Sequence, residues 1–405
     1  MSTKYICAFR GRRDYYQVPV ALAENDLLEE FVTDAYCGST VRTISALLPK
    51  QIREKLRSRY EPNLPQDRVT CIWGSAVAEQ WRRRAGQPPS IMFATIDRTF
   101  GQAVAERARR SRSNLLVYSH YAWEPFTARY AHNPVRVMFQ FHPHAEAERR
   151  ILMEDATKYP ALHDAFEEEA WERVTGELRI RNRDSWKHAD IILCASSFTR
   201  QSLLDVGADP ESCKVIPYGI DLPGVTYESA PSGRFTVLFV GTGSQRKGLH
   251  HLLAAWQAAN LPHDSELTLV CRFIDPALSK IVQATPRVRL LSEVGHDRLG
   301  ELFGSSSLFV MPSLVEGFGQ VYLEALSRGC PVVGTANTGL VDIREEGDPI
   351  WSVAPGNIDQ LVSVLETLAA KIPGDANIRA RARACAARWS WRRFRDGISA
   401  ALPRT

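Results

Sequence analysis

The sequence predicts an α/β protein built as two parallel-sheet domains, and three observations carry that reading. At 405 residues the chain is long for a single core and suits two. Strand-sized apolar runs alternate with helical stretches from end to end. A segment rich in Pro, Gly and Ser, IPYGIDLPGVTYESAPSGR at 216–234, then divides those runs into two series.

In the first series YICAF (5–9), LLVYSH (115–120), VRVMFQF (135–141) and IILCAS (191–196) read as buried strands, each ending near a Gly, His or Ser. Open α/β sheets bind their ligands at such carboxyl ends. The charged stretch from 146 to 190 has apolar residues near the 3.6 period and reads as helices within the first domain. The second series is FTVLFVG (235–241), ELTLVC (266–271), VRLLS (288–292), LFVMPS (308–313) and PVVGT (331–335). At the C-terminus, RACAARWSWRRFRDGISAAL reads as one amphipathic helix carrying Trp389, Trp391 and Phe394.

Composition narrows the function classes. With 44% hydrophobic and 24% charged residues the chain is of ordinary globular type, and no apolar run nears the roughly 20 residues that span a bilayer. MSTKYICAFRGRR carries charge where a signal peptide needs an apolar segment, so a cytoplasmic location is expected. The eight cysteines are dispersed, with no C-x-x-C pair and no His/Cys cluster at ligand spacing; they read as small buried side chains, and no metal is expected. Net charge is +4, yet residues 41–112 hold 15 Lys and Arg against 6 Asp and Glu. Such a basic face suits an anionic membrane surface or a phosphorylated substrate, with solvated helix faces as the plainer reading. No nucleic-acid-binding motif accompanies the charge, so nucleic acid is not expected as a partner.

Two stretches carry candidate chemistry. FVGTGSQRKGLHHLLAAW (239–256) reads strand, glycine-containing loop, helix, with Arg246 and Lys247 at the helix start. Loop N–H groups, a helix N-terminus and two cations together suit a diphosphate. The spacing is neither that of a Walker A loop nor G-x-G-x-x-G. EGFGQVYLEAL (316–326) is expected to start a helix near Phe318 or Gly319 and to place Glu316 on the loop ahead of it. Glu324 then lies one to two turns into the helix, and Gly317 and Gly319 allow close approach to the backbone. A plainer reading makes Glu316 part of a cap and Glu324 an exposed acid.

PSLVEGFGQVYLEALSRGCPVVGT resembles the E-x7-E signature of the retaining family 4 glycosyltransferases, and RKGLHHLLAAW is similar to the Lys-Gly motif of the same family. HADIILCASSFTRQSLLDVGADPESCKVIPYGID (188–221) resembles the end of that family's first domain and its interdomain junction. The resemblance runs from about residue 115 onwards. It implies the GT-B fold, two Rossmann-like domains whose parallel sheets face each other across a cleft. On that expectation residues 1–222 form the N-terminal, acceptor-side domain and 223–384 the C-terminal, donor-binding domain, while 385–405 form a terminal helix packing back on the first.

The resemblance also implies roles. Lys247 with Arg246 neutralises the donor diphosphate, Glu324 holds the ribose hydroxyls, and Glu316 with the backbone of Gly317, Phe318 and Gly319 holds the transferred sugar. His142 is the histidine at the end of a first-domain strand, with His144 as an alternative register. His120, Arg12 and Arg13 fall on the acceptor side. Two departures stand out. Thr242 occupies a position where the family commonly has an arginine. The N-terminal loop FRGRRDYY has a single glycine, Gly11, where several are usual, and its arginines suit an anionic acceptor.

The implied activity is retaining, metal-independent transfer of a sugar from a UDP- or GDP-sugar to a hydroxyl acceptor, with no cofactor. The expected acceptor is a lipid-linked or growing saccharide in surface polysaccharide or glycolipid assembly, met by a cytoplasmic protein peripheral to the inner face of the cytoplasmic membrane. The alternatives are a small soluble acceptor such as a sugar phosphate, and a GT-B nucleotide-sugar-binding protein without turnover. A GT-B epimerase is disfavoured by the E-x7-E arrangement.

Overall fold

The computed structural model of the chain describes residues 4–38, 53, 58–74, 81, 89–162, 180–181, 183–224 and 234–403. Most of QIREKLRSRY and QWRRR in the basic stretch, 163–179 of the charged helical stretch and 225–233 of the linker lie outside them.

Seven parallel strands form the first sheet: β1 (Tyr5–Ala8), β2 (Leu28–Thr33), β3 (Val69–Cys71), β4 (Asn114–Tyr118), β5 (Arg136–Gln140), β6 (Ile191–Cys194) and β7 (Cys213–Val215). Their order is β3-β2-β1-β4-β5-β6-β7. Helices α1 (Gln17–Glu24), α2 (Pro89–Arg110), α3 (Ala145–Ala156) and α4 (Ser197–Leu204) are the main crossovers. The second sheet has six parallel strands: β8 (Thr236–Val240), β9 (Glu266–Val270), β10 (Val288–Leu291), β11 (Leu308–Val310), β12 (Val332–Thr335) and β13 (Ile350–Val353), ordered β10-β9-β8-β11-β12-β13. Around it lie α5 (Leu249–Ala258), α6 (His296–Ser305), α7 (Val321–Ser327) and α8 (Ile378–Ala387). Strands such as TVLFV read as near-continuous apolar runs because helices cover both faces of a parallel sheet.

The strand order reverses between β1 and β4 in the first sheet and between β8 and β11 in the second. Crevices at the carboxyl ends beside such reversals bind ligands. The loops there are the ones the sequence singles out: FRGRRDYY after β1, Ser119–Tyr121 after β4, His142 after β5, GTGSQRKG after β8 and Pro312–Gln320 after β11.

The C-terminus corrects the expectation of one continuous helix. The structure has α8 and then α9 (Trp391–Ala401), broken at Ser390, whose extended backbone (φ −82°, ψ 156°) lets its hydroxyl cap α9 by accepting from the Arg393 N–H. Ser390 also bridges Ile220 of the linker, which holds the break in place. α9 lies against α1: Arg395 meets Glu24 at 2.8 Å and Gln17 at 2.6 Å, and Asn25 donates to Ser399 Oγ at 2.8 Å. Trp391, Phe394 and Ile398 are buried beneath it, each worth about 1.5–3 kcal/mol of burial. The second EGFGQVYLEAL expectation shifts as well. Gly319 takes a left-handed φ of 85°, so the helix begins at Val321, and Glu324 falls in its first turn.

Candidate functional site

Two loops of the second domain build the centre of the site. After β8 the chain runs through an exposed Thr242 to buried Arg246, and Gly248 takes φ 67° as the N-cap of α5. After β11, the Glu316 N–H donates to the Asn337 carbonyl at 3.0 Å and fixes the second loop. The Glu316 carboxylate then receives Arg246 Nη1 at 3.0 Å, and the Lys247 ammonium contacts the same oxygen. Burial opposes the charge on Glu316. Lys247, Arg246 and His142 outweigh it and hold the carboxyl well below the usual carboxylate range. The two cations assigned to a diphosphate are therefore poised on the acid assigned to the sugar.

The same loop is wedged into the first domain. A Cβ on Gly317 would overlap the Phe141 carbonyl oxygen, and His142 Cα lies just beyond, so only glycine permits the approach. Thr199 Oγ1 of α4 donates to the Gly317 carbonyl at 3.1 Å, and the Phe318 ring sits edge-on to Tyr218 at 5.3 Å. Gln320 donates to the Gly219 carbonyl at 3.3 Å. The N–H groups of Gly317, Phe318 and Gly319 meet no acceptor among the described residues, which leaves three donors in sequence for an incoming anion.

Glu324 stands apart from these cations. A hollow of about 280 Å³ is lined by Glu324, Gln320 and His296 of the second domain, by Asp221 of the linker and by Tyr15 and Trp391. Burial raises the Glu324 carboxyl above its ordinary value. Its volume approaches the low end of ordinary ligand pockets. Glu316, buried on Arg246 and Lys247, does not line this hollow, so the two acids of the eight-residue spacing stand in different surroundings.

On the first-domain side, Arg13 and His120 converge on Phe141: the guanidinium lies 4.1 Å over that ring and the imidazole packs edge-on at 4.8 Å. His142 follows Phe141 directly. His144, the alternative register, is spent on structure, since its Nδ1 caps α3 at the Glu146 N–H and its Nε2 lies 2.9 Å from the Arg183 carbonyl. Arg10 is also structural, buried on Asp97 at 3.2 Å. Gly11 (φ 81°) donates to Asp34 Oδ1 at 2.8 Å, and exposed Arg12 lies 4.4 Å over the Tyr15 ring.

Three features of the site are not legible in the sequence. Asp14, Tyr15 and Tyr16 are consecutive non-glycine residues at φ 47°, 50° and 64°, each costing about 1–3 kcal/mol. That turn places Tyr15 over the Glu324 cavity and sinks Asp14 against the Tyr118 hydroxyl. Burial raises Asp14 to about 6, although Tyr118, Tyr218 and Arg13 favour its charge. A second feature joins the domains beside Lys247: Asp155 of α3 meets His250 Nε2 at 3.0 Å and His251 Nε2 at 2.9 Å, both from α5, and Gln245 Nε2 at 2.9 Å. The third is Trp391, which lines the Glu324 hollow although the sequence shows it only as part of a helix. Of these, only the HH dipeptide after the Lys-Gly pair offered a local signal.

Comparison with known proteins agrees with this architecture. A family model described as Glycosyltransferase Family 4 matches residues 51–223, and one described as Glycosyl transferases group 1 matches 234–371. Among curated relatives, the MMP alpha-(1->4)-mannosyltransferase of Mycolicibacterium hassiacum is 24% identical over 209 residues, 48% of this chain and 49% of that protein. The chain spans about half the length, or less, of the curated relatives it matches. Among solved structures, sucrose-phosphate synthase from Thermosynechococcus elongatus superposes with a TM-score of 0.68 at 16% identity, covering 98% of both chains. Anabaena HepE in complex with UDP and glucose gives 0.60 at 17% identity, covering 99% of both. These likenesses carry the fold: two Rossmann-like domains in the GT-B arrangement.

Proposed function

Because the chain belongs to the family 4, group 1 glycosyltransferases, we propose that it transfers a sugar, with retention, from a UDP- or GDP-sugar to a saccharide hydroxyl. The observation that carries this reading is the meeting of Arg246, Lys247 and Glu316 beside three N–H groups that meet no acceptor among the described residues, under the end of β5. HepE was solved with UDP and glucose, which favours a uridine diphosphate donor as the first to try.

Departure of the nucleotide concentrates negative charge on the diphosphate while the anomeric carbon becomes oxocarbenium-like. Lys247, Arg246 and the Gly317–Gly319 N–H groups would supply positive potential already in place, so little reorganisation accompanies bond cleavage. With the diphosphate bound, Glu316 exchanges its cations for the sugar hydroxyls and lies close to the positive anomeric centre. The acceptor attacks from the face the leaving group vacates, and the departing phosphate takes its proton. No metal takes part in this scheme. His142 would bound the sugar pocket from the first domain, and Glu324 would hold the ribose beneath Tyr15. Arg246 would fill the cationic role that Thr242 cannot. The tight seal of the 316–320 loop on the first domain keeps water from competing for the sugar.

For the acceptor, the basic stretch 41–112 favours a lipid-linked or growing saccharide at an anionic membrane surface. Exposed Arg12 favours a second reading, a small phosphorylated acceptor. Liposome flotation at low salt separates them: the first requires binding to anionic vesicles, the second does not. The catalytic assignment is tested by release of nucleoside diphosphate with candidate acceptors. Wild type should exceed Glu316→Ala by at least about 100-fold, and equal rates would leave only a nucleotide-sugar-binding protein.

A further inference from the structure

We propose that Asp155, His250 and His251, with Gln245 beside them, form a zinc-class metal site that staples the two domains together at the foot of the donor loop. This goes beyond glycosyl transfer and does not depend on it, because the metal would sit between α3 and α5, away from the reacting sugar.

Four observations point there. The three donor atoms lie within 4.8 Å of one another, and the carboxylate contacts both imidazoles, at 3.0 Å and 2.9 Å. Tetrahedral zinc with ligands at about 2.0–2.1 Å needs donors only a few tenths of an ångström further apart than this. The side chains are 2%, 3% and 4% exposed, so the site is built in the interior and not on a solvated face. Asp155 has no lysine or arginine partner among the described residues, and a divalent cation at this point would give its buried carboxylate one. Finally, Gln245 is fully buried and donates its amide N–H groups to Asp155 and to the Leu152 carbonyl, while its Oε1 meets no donor among the described residues. A buried acceptor left so costs about 1–3 kcal/mol, so this corner of the interface is not fully satisfied by the protein alone. Two imidazoles with a carboxylate select zinc or a neighbouring transition metal over magnesium or calcium.

On binding, each imidazole coordinates through Nε2, and the proton it carried there moves to Nδ1, so no net proton or electron change is needed. Asp155 belongs to the first domain and both histidines to the second, so occupancy would resist opening of the cleft. Tyr159 closes the site from the first domain, its ring edge-on to His250 at 4.8 Å.

The test uses the full chain, stripped with a chelator and dialysed against zinc chloride. Wild type should retain close to one zinc per chain and melt higher with zinc than without, whereas Asp155→Asn and His251→Gln should bind at least tenfold more weakly and lose the shift. Cobalt(II) in place of zinc reports the ligands directly, and it decides the matter even should both variants fail to fold. A four-coordinate spectrum without a thiolate charge-transfer band is expected. Absence of stoichiometric metal, undiminished binding in both variants, or a thiolate band from the cysteines each overturns the proposal and leaves a hydrogen-bonded clasp.

Discussion

Arg246 Nη1 lies 3.0 Å from Glu316 Oε2, the oxygen that the Lys247 ammonium also contacts, so one carboxylate holds both cations in readiness for a more highly charged anion. Glu316→Gln should therefore preserve or tighten binding of a nucleoside diphosphate, measured by calorimetry, while lowering sugar transfer by at least about 100-fold. It should also destabilise the fold by about 3 kcal/mol, because two largely buried cations lose the carboxylate they share. The Glu316 carboxyl is depressed in the folded protein, so its contribution is complete above an unfolded value of about 4.3 and lost as pH falls below it. Between pH 6 and 8 the wild-type minus Glu316→Gln stability difference should be flat.

Gly317→Ala should cripple transfer without abolishing the fold. The added Cβ collides with the Phe141 carbonyl oxygen, backbone that cannot step aside, so the donor loop and β5 must part. A displacement on the order of 1 Å in such a site costs about 100-fold in rate. Steady-state kinetics alongside Gly374→Ala, a position where a Cβ meets open space, separates this from a general effect of added bulk.

Glu324→Ala should act on donor affinity. If Glu324 holds the ribose, the contact is the same in ground and transition states, so KM for the nucleotide sugar should rise about tenfold and kcat change by less than about threefold. A fall in kcat matching the loss in kcat/KM would place Glu324 with the reacting centre instead.

Asp14 gives a pH signature. Its carboxyl is raised to about 6 by burial, so its contribution to stability is present below the unfolded value near 3.9 and is lost as pH rises through about 6. Asp14→Asn removes that loss. Denaturant titrations should show the variant gaining on wild type by on the order of 2 kcal/mol between pH 4 and pH 8. A constant difference would mean that Asp14 is not buried as described.

The strands rich in β-branched and aliphatic residues, such as TVLFV and VVGT, were legible because both faces of a parallel sheet are covered. LEEFVT of β2 was not, since its acids interrupt the apolar run; Glu30 is satisfied by Arg107 of α2 at 2.7 Å, a partner 77 residues away. Glu316, Glu324, Arg246 and Lys247 were legible as a group because each pair shares one strand–loop–helix unit. Their pairing across two units was not. The break at Ser390 was masked by helix-forming arginines on either side, and only the bridge to Ile220 reveals why it persists. Asp155 and His250 are 95 residues apart, and no local pattern brings them together.

The central claim is that Lys247 and Arg246, released from Glu316, hold the diphosphate of a sugar nucleotide. Calorimetric titration of wild type and Lys247→Ala with UDP, GDP and ADP tests it most directly. One of the three should bind wild type at one site per chain, and Lys247→Ala should weaken that binding by at least about tenfold, the loss of one charge-assisted contact. Equal affinity in the two proteins, or no binding of any of the three to wild type, would contradict the account.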